Sequence, residues 1–388
     1  MRSFKVVLSL ASFQLRSVAA YTDQGMRPLA APFPNGCCNG SVLTIPRAEL
    51  YSGGFSLNDV VLPSRDVRVW LPEEYNQNEY SQHSFPVLYC HDGQNAFEDE
   101  RSWTGSSWRL VGALTRLHER NLLEAIPIVV CVPCAEGFLL PGVSRRHAEY
   151  GDFTNPISQA HSNWMAQKLL PCIERKFRVR AGPEHTSVIG SSLGGQASLQ
   201  LLLRYPDLFG GAACMSPAFQ PATVAAVISN LVENMDLSLD ILGNDVIGFL
   251  SDQLGSSRSI SSLSQKGRGR SSSLRSKRIY LDNGGDTDEV SVPLFDMGDH
   301  FTLNENWLNP GYWWLDTSLQ PMIDAVRWLL DQGQVNYQYV RFPGGRHNER
   351  AWGLRIDRPL LALYGKGRRM AGKDQQTAQE DGGVNNIR

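Results

Sequence analysis

The feature that most constrains the fold of this chain is a repeated alternation of short apolar segments with longer segments of helical pattern. Segments of strand length, each with an apolar centre, occur at residues 85–90, 126–132, 185–190, 209–217 and 278–284. Helical patterns fill most of the intervals between them, as in "SLGGQASLQLLLRYP" after the third segment. Short buried strands that alternate with helices are typical of a mostly parallel sheet with helices on both faces. The sequence therefore predicts the α/β class, built on such a central sheet.

Composition and local sequence divide the chain into three parts, and the second of them contains an insertion. Its 388 residues are 42% hydrophobic and 20% charged, which is ordinary for a globular protein with a large core. Residues 1–40 are predicted to be a targeting-like segment and linker, and residues 41–364 one folded domain. The serine-rich stretch 251–276 has almost no large apolar residue, so it is predicted to be a disordered surface insertion. A disordered polar tail is predicted for 365–388.

The charge balance gives no reason to expect a nucleic-acid partner, since the formal net charge is −2. The basic cluster at 266–278 is the one segment that could bind a polyanion. It is interpreted either as a solvated loop or as a docking segment for RNA or a membrane surface. No apolar run reaches the roughly 20 residues that span a bilayer, so no membrane span is expected. The first 20 residues fit a secretory signal, an organelle transit peptide or an unprocessed terminus, which leaves the compartment open.

Cysteine usage indicates thiols rather than a disulfide framework. Seven cysteines are present, and an odd number cannot all pair within one chain. Five lie in or beside apolar runs and are predicted to be buried free thiols: Cys90, Cys131, Cys134, Cys172 and Cys214. No cofactor and no metal site is predicted, and the sequence does not indicate an oligomeric state.

The segment "VIGSSLGGQAS" has the pattern Gly-x-Ser-x-Gly between an apolar strand and a helix. A nucleophilic serine on a sharp strand-to-helix turn requires this context, and glycines at 190 and 194 relieve the crowding around it. The register selects Ser192, the central residue, over Ser191. The competing interpretation is a structural turn rich in small residues.

A nucleophilic serine needs a general base, and only two histidines follow Ser192 in the chain. One of them, His347, lies in a glycine-rich loop after a predicted strand and before a helix. It is therefore predicted to be the base. The competing interpretation is a loop histidine bonded to its own backbone.

The triad acid is expected after the preceding strand, in "LDNGGDTDEV". Asp282 lies at the strand end, where a structural role is expected. Asp286, Asp288 and Glu289 lie on the loop that could reach a histidine, and spacing alone does not choose among them.

An oxyanion hole needs two backbone N–H groups that face the developing negative charge. Leu193, the residue after the nucleophile, is predicted to supply one of them. The loop "HDGQN" after an earlier strand is predicted to supply the other from Gln94, with Gly93 allowing the backbone to approach the substrate. His91 and Asp92 come too early in the chain for the triad and are interpreted as shaping this loop.

Five segments in a fixed order carry a family resemblance: "PVLYCHDGQNAF", "GSSLGG", "YPDLFGGAACMSPAF", "IYLDNGGDTDE" and "FPGGRHNERAW". Together they resemble the putative-esterase family of α/β-hydrolases, which includes esterase D-like enzymes, feruloyl esterases, enterochelin esterase-like proteins and mycolyltransferases. The resemblance runs from about 67 to 364, apart from the serine-rich insertion.

The resemblance implies the α/β-hydrolase fold, with Ser192 as nucleophile and His347 as base. The family's acid commonly follows a strand-end pattern D-x-G-T-x-[DE], and the second glycine in "NGGDTDE" departs from that pattern. Reading one glycine as inserted assigns the acid to Asp288, with Glu289 and Asp286 as alternatives. The implied activity is serine ester hydrolysis through an acyl-enzyme, acting on a small-molecule ester that the sequence does not name.

Two other functions remain open at this stage. The same triad could transfer an acyl group to an acceptor alcohol, and a catalytically silent binding protein could use the basic insertion. Aromatic residues are candidates for the walls of a substrate pocket, with core packing as the competing interpretation; the main candidates are Trp108, Trp313 and Trp314.

Overall fold

The computed structural model describes residues 40–50, 56–57, 60–140, 143–234, 273–284, 315–342 and 345–366. Its strands are β1 (Ser41–Ile45), β2 (Ser56–Leu57), β3 (Val60–Val61), β4 (Val67–Leu71), β5 (Val87–His91), β6 (Ile128–Val132), β7 (Phe138–Leu140), β8 (Val143–Ser144), β9 (Thr186–Ser191), β10 (Gly211–Met215), β11 (Arg278–Asn283) and β12 (Tyr337–Arg341). Strands β2 and β3 pair with each other, as do β7 and β8.

The remaining strands form one eight-stranded sheet in the order β1-β4-β6-β5-β9-β10-β11-β12. All neighbours from β6 to β12 are parallel, whereas β4 is antiparallel to both β1 and β6. Every residue of β5, β6, β9 and β10 is buried, so both faces of the sheet are covered. This arrangement confirms the predicted α/β class, and the carboxyl ends of six parallel strands share one edge of the sheet.

The helices are α1 (Arg47–Leu50), α2 (Leu110–Glu119), α3 (Arg145–Glu149), α4 (Pro156–Trp164), α5 (Leu170–Lys176), α6 (Leu193–Arg204), α7 (Pro221–Glu233), α8 (Leu315–Gln332), α9 (Glu349–Arg355) and α10 (Asp357–Tyr364). Helices α2 and α10 contact each other, while α6 contacts α4 and α7, and α7 contacts α8. A π-helical turn over Met165–Leu169 connects α4 to α5, just before Pro171.

The segment "NERAWGLRIDRPLLALY" forms two helices, α9 and α10, joined at Ile356, rather than one continuous helix. Pro359 provides the physical reason. It has no backbone N–H to donate to the carbonyl of Arg355, four residues earlier, so a continuous helix would lose a hydrogen bond at this point.

The serine-rich insertion and the terminal segments lie mostly outside the described residues, which omit 1–39, 235–272 and 367–388. The basic residues just before and at the start of β11 make specific contacts. Leu274 is buried in the hydrophobic core, and the Lys277 ammonium donates to the carbonyl of Pro206. The guanidinium groups of Arg275 and Arg278 donate to carbonyls of Gly333 and Glu184 at 2.9 and 2.7 Å. These three cations therefore anchor the start of β11.

Two further predictions concern the described residues. All five cysteines predicted to be buried free thiols are buried and free in the structure. At the carboxyl end, ordered structure extends beyond Tyr364: the amide of Lys366 donates to the carbonyl of Leu122 at 2.8 Å. Across the described ranges, no helix combines the length and the apolar character needed to cross a bilayer.

Candidate active site

The turn between β9 and α6 holds Ser192 in a conformation that L-residues rarely adopt, with φ 55° and ψ −123°. Two hydrogen bonds, one to the last residue of β10 and one to the loop after it, fix this backbone. The amide of Ser192 donates to the carbonyl of Met215 at 2.9 Å, and its carbonyl accepts from the amide of Ala218 at 3.0 Å. Strain of this kind is held only where the surrounding structure imposes it.

The glycines of the motif are required by the close contact between β9 and α6. A Cβ atom on Gly190 would lie 2.3 Å from the carbonyl oxygen of Gly194, which is far inside van der Waals contact. A Cβ on Gly194 would lie 3.0 Å from a carboxylate oxygen of Asp92. The first contact lets the helix begin directly after the strand, and the second brings the start of α6 against the loop after β5.

The two neighbouring serines have different surroundings. Ser191 is the last residue of β9, pairs with Met215 and is only 2% exposed. Ser192 is partly exposed and stands immediately before the first residue of α6. The first amides of a helix have no acceptor within the helix and carry the positive end of its dipole. The hydroxyl of Ser192 and the amide of Leu193 therefore lie where an anionic group is stabilised.

The loop after β5 is a 3-10 turn over Gly93–Asn95 that begins from Asp92 at φ 52°. The Asp92 carboxylate accepts two hydrogen bonds from the Arg146 guanidinium, at 2.9 and 2.7 Å. The Asp92 amide donates to the hydroxyl of Tyr150 at 3.1 Å. Asp92 thus shapes the loop that presents Gln94, as the sequence indicated.

The structure shows a packing reason for glycine at position 93, and the approach of its backbone to a substrate stays a prediction. A Cβ atom on Gly93 would lie 2.5 Å from the carbonyl carbon of Cys131, the residue before the end of β6. The close approach that excludes a side chain is therefore to the neighbouring strand. The side chain of Gln94 adds a second link, since its Oε1 accepts from the amide of Cys134 at 3.3 Å.

Two buried histidines lie below this loop. The Nδ1 atom of His91 is 3.0 Å from the hydroxyl of Ser198 on α6, and the rings of His91 and His161 are 5.4 Å apart. Burial, together with the nearby His161, lowers the pKa of His91 to about 3, and burial together with Arg65 lowers the pKa of His161 to about 3. Both rings are therefore neutral at physiological pH and serve as packing for the loop and helix.

His347 lies on the loop that follows β12, where it is buried and packs edge-to-face on Trp352 with ring centroids 4.9 Å apart. The next residue, Asn348, caps α9 by accepting the amide of Ala351 at 2.9 Å. A Cβ atom on Gly345 would lie 3.3 Å from the Cα of Gly284, just after β11. The histidine loop thus passes beside the strand end from which the acid loop departs.

A buried network beneath these loops was not predicted from the sequence. The Arg355 guanidinium donates to the hydroxyl of Ser216 at 2.7 Å and lies 3.2 Å from the carboxylate of Asp282. That carboxylate also accepts the amide of Ser216 at 2.9 Å and the hydroxyl of Tyr280 at 3.0 Å. Asp282 therefore has the structural role expected of it. No local pattern identifies Arg355, because its partners are more than 70 residues distant in the chain.

Asp286, Asp288 and Glu289 lie outside the described residues, as do Trp313 and Trp314. Trp108 is described and is 0% exposed within the main hydrophobic core. Its burial favours the packing role that the sequence left as the alternative to a pocket wall.

Comparisons with known proteins agree with the resemblance found in the sequence. The family model described as "Putative esterase" matches residues 63–363, which is most of the chain. The uncharacterized protein YbbA of Bacillus subtilis is 24% identical over 176 residues, covering 45% of this chain and 64% of YbbA. The match thus spans less than two thirds of the length of that relative.

Among solved structures, a mutant of the feruloyl esterase module from Clostridium thermocellum, complexed with sinapinate, is 15% identical with a TM-score of 0.49; the alignment covers 91% of this chain and 96% of the module. The ferric enterobactin esterase from Salmonella typhimurium is 16% identical with a TM-score of 0.47, covering 83% of this chain and 58% of that protein. From the length of the family match and the strand order of the sheet, the chain belongs to the putative-esterase family and has the α/β-hydrolase fold.

Proposed function

We propose that this chain is a serine hydrolase of carboxylic esters that acts through an acyl-enzyme intermediate, with Ser192 as the nucleophile. The observation that carries the proposal is the partly exposed Ser192 hydroxyl, held at positive φ between a parallel strand and the first residue of α6. A turn of this geometry at the carboxyl edge of such a sheet is the arrangement used by hydrolytic serines. Membership of the esterase family supports an ester as the substrate.

In the proposed reaction, the Ser192 oxygen attacks the ester carbonyl carbon while His347 accepts the hydroxyl proton. The tetrahedral intermediate collapses, the bond to the alcohol oxygen breaks, and His347 returns the proton to the departing alcohol. Water then attacks the acyl-enzyme with the same proton transfers and releases the acid. The position of His347 on a loop after the last strand supports its role as the base.

The acid of the triad is proposed to be Asp288, with Glu289 and Asp286 as alternatives. It would accept a hydrogen bond from the imidazole nitrogen that does not face Ser192, which fixes the tautomer and stabilises the protonated ring. The departure of its loop from the end of β11, beside the histidine loop, supports this assignment.

The oxyanion is proposed to be stabilised by the amides of Leu193 and Gln94. Leu193 is the first residue of α6, so its N–H has no acceptor within the helix. Gln94 lies in the turn that Asp92 and Arg146 hold against the start of α6. Two donors of this kind stabilise the tetrahedral intermediate without reorganising during the reaction.

A fluorophosphonate probe and an ester panel test the proposal together. The wild-type chain should be labelled and should hydrolyse at least one ester among acetyl, feruloyl, long-acyl and thioester substrates. Ser192→Ala should abolish both, while the matched variant Ser191→Ala should retain labelling. A chain that is inert to the probe and to every ester, or an active Ser192→Ala variant, would overturn the proposal.

Single substitutions then identify the acid. Asp288→Asn should reduce kcat by about 10⁴-fold, as expected when the base loses the group that sets its tautomer. Glu289→Gln and Asp286→Asn should each leave most of the activity. If one of these two loses activity and Asp288→Asn does not, the acid is reassigned to that residue. Product analysis with an added alcohol separates hydrolysis from acyl transfer.

A further inference from the structure

The two loops that this reaction must keep in register come from strands that do not touch. Three strands, β9, β10 and β11, separate β5 from β12 in the sheet. The loop after β5 carries the proposed oxyanion donor Gln94, and the loop after β12 carries the proposed base His347. Sheet hydrogen bonds therefore do not join the two loops directly, and their relative position depends on contacts above the sheet edge.

One such contact joins side chains next to the two proposed groups. The Nδ2 atom of Asn95 donates to the Oε1 atom of Glu349 at 3.1 Å. Asn95 is the neighbour of Gln94 and is 1% exposed, and Glu349 lies two residues after His347 and is 5% exposed. The hydrogen bond thus links loops whose strands are separated by three others in the sheet. Both side chains are buried, and an electrostatic contact is stronger away from water.

Both ends of this contact are held in place. The Oδ1 atom of Asn95 accepts the amide of Trp103 at 3.3 Å, and its carbonyl accepts the amide of Trp108 at 2.8 Å. At the other end, Glu349 is the first residue of α9, which Asn348 caps. The amide orientation of Asn95 follows from these partners, since only its NH₂ group can donate to a carboxylate.

The chemistry of Glu349 is unusual for a contact that serves packing alone. Burial raises the pKa of its carboxyl group, which reflects the cost of keeping a charge away from water. An apolar side chain would fill the same space without that cost. A carboxylate adds what an apolar side chain cannot, namely a directional acceptor for the Asn95 amide.

We propose that Glu349 is a positioning residue for the ester hydrolysis proposed above, and that its hydrogen bond from Asn95 holds the Gln94 amide in register with His347. Glu349 does not touch the reacting atoms. It acts through Asn95 on the oxyanion loop and through the start of α9 on the histidine loop. The inference rests on the proposed function, since it concerns the groups that perform that reaction.

A double-mutant cycle on the full chain tests this inference, with an ester that the wild-type protein turns over. Glu349→Ala and Asn95→Ala should each lower kcat by about 10- to 100-fold, less than the loss of an oxyanion donor itself. KM should stay within about threefold, since the contact acts on the transition state. The double variant should be no slower than the slower single variant, because both changes remove one interaction.

Conservative and remote variants separate positioning from general loss of structure. Glu349→Gln should restore kcat to within about threefold of wild type, because its carboxamide oxygen can still accept from Asn95. Ser158→Ala removes a buried hydrogen bond of 2.8 Å to Gln200, away from the two loops, and should lower the melting temperature without changing kcat.

The outcomes distinguish this inference from the proposed function. Additive losses of kcat in the cycle, or an unchanged kcat in Glu349→Ala, would overturn the positioning role while an inactive Ser192→Ala variant leaves the function standing. Equal failure of Glu349→Gln and Glu349→Ala would also overturn it. If Ser192→Ala is fully active, the proposed function fails first, and the role of Glu349 fails with it.

Discussion

Ser192 and Ser216 follow neighbouring parallel strands and make a natural comparison. The register of β9 and β10 pairs Ser191 with Met215, so the two following serines lie side by side at the sheet edge. Both have positive φ, 55° for Ser192 and 39° for Ser216. Backbone strain is therefore common to both positions and does not by itself mark a nucleophile.

The surroundings of the two hydroxyl groups differ. The Ser216 hydroxyl is buried and accepts a hydrogen bond from Arg355, which also pairs with Asp282. Ser192 is partly exposed and directly precedes α6, whose first amides have no acceptor within the helix. One strained serine thus binds a buried cation, and the other is partly exposed beside a helix start. Exposure and the adjacent helix start, rather than backbone strain, therefore distinguish the proposed nucleophile.

Alanine at each of the two serines tests the comparison most strongly. Ser192→Ala should lower turnover of the best ester by about 10⁴-fold or more with an unchanged melting temperature, because it removes only the proposed nucleophile. Ser216→Ala should retain turnover within about tenfold and lose about 1–3 kcal/mol of stability, the value of a hydrogen bond to a charged group. Kinetics and thermal unfolding measure the two effects. The reverse pattern would show that the roles of the two serines are exchanged.

Removing the cation under Ser216 should have the next largest effect. Arg355→Met leaves the buried Asp282 carboxylate without its ion-pair partner, which costs about 3–5 kcal/mol in such sites. Denaturant unfolding measures the loss, and Asp282→Asn combined with Arg355→Met should recover part of it. A loss below about 1 kcal/mol would mean that the network contributes little to the stability of this edge.

Placing alanine two residues before each serine should test the comparison at the level of packing. Gly190 pairs with Cys214 in the sheet, so the chain has a side chain at this position under Ser216 but not under Ser192. Gly190→Ala should cost about 1–3 kcal/mol, because its Cβ would lie 2.3 Å from the carbonyl oxygen of Gly194. Cys214→Ala is the matched control and should leave fluorophosphonate labelling intact. Normal labelling and stability in Gly190→Ala would contradict the packing explanation of the motif.

Mild acid should have the smallest effect, a loss of stability that involves the histidines packed near α6, the helix that follows Ser192. The buried imidazoles of His91 and His161 have pKa values of about 3, against an ordinary value of 6.5, so the unfolded chain binds more protons below pH 6.5. Stability is therefore fully present above that pH and falls as the pH decreases. Each histidine should contribute a loss of about 0.7 kcal/mol between pH 7 and pH 6.

His161→Phe tests this dependence, since it keeps an aromatic ring in the cluster without a titratable group. Denaturant unfolding at pH 7 and pH 6 should give a stability difference smaller than that of wild type by the contribution of one histidine. Hydrogen exchange should report the acid-induced loosening in α6, which His91 contacts through Ser198, more than in β11. An identical pH dependence in the variant would exclude His161 as its source.

The sequence predicted most of the architecture because local patterns determine it. Buried parallel strands are rich in apolar residues, so β5, β6, β9 and β10 could be recognised from their local sequence. The break between α9 and α10 and the contacts of the basic residues at the start of β11 were not evident from the sequence. Both depend on the tertiary structure. The break depends on how the residues around Pro359 pack, and the contacts depend on backbone carbonyls that distant loops supply to Lys277 and Arg278.

The sequence predicted the family, the order of the site segments and Ser192 rather than Ser191 as the nucleophile, since these predictions follow from residue type and spacing. The folded structure was needed to see that Gly93 packs against β6 and that Arg355 and Glu349 join loops from separate strands. These facts arise where the ends of parallel strands meet, and residues brought together there are far apart in the chain. No local pattern records such contacts, because the energy that selects them is that of a buried polar group finding its partner.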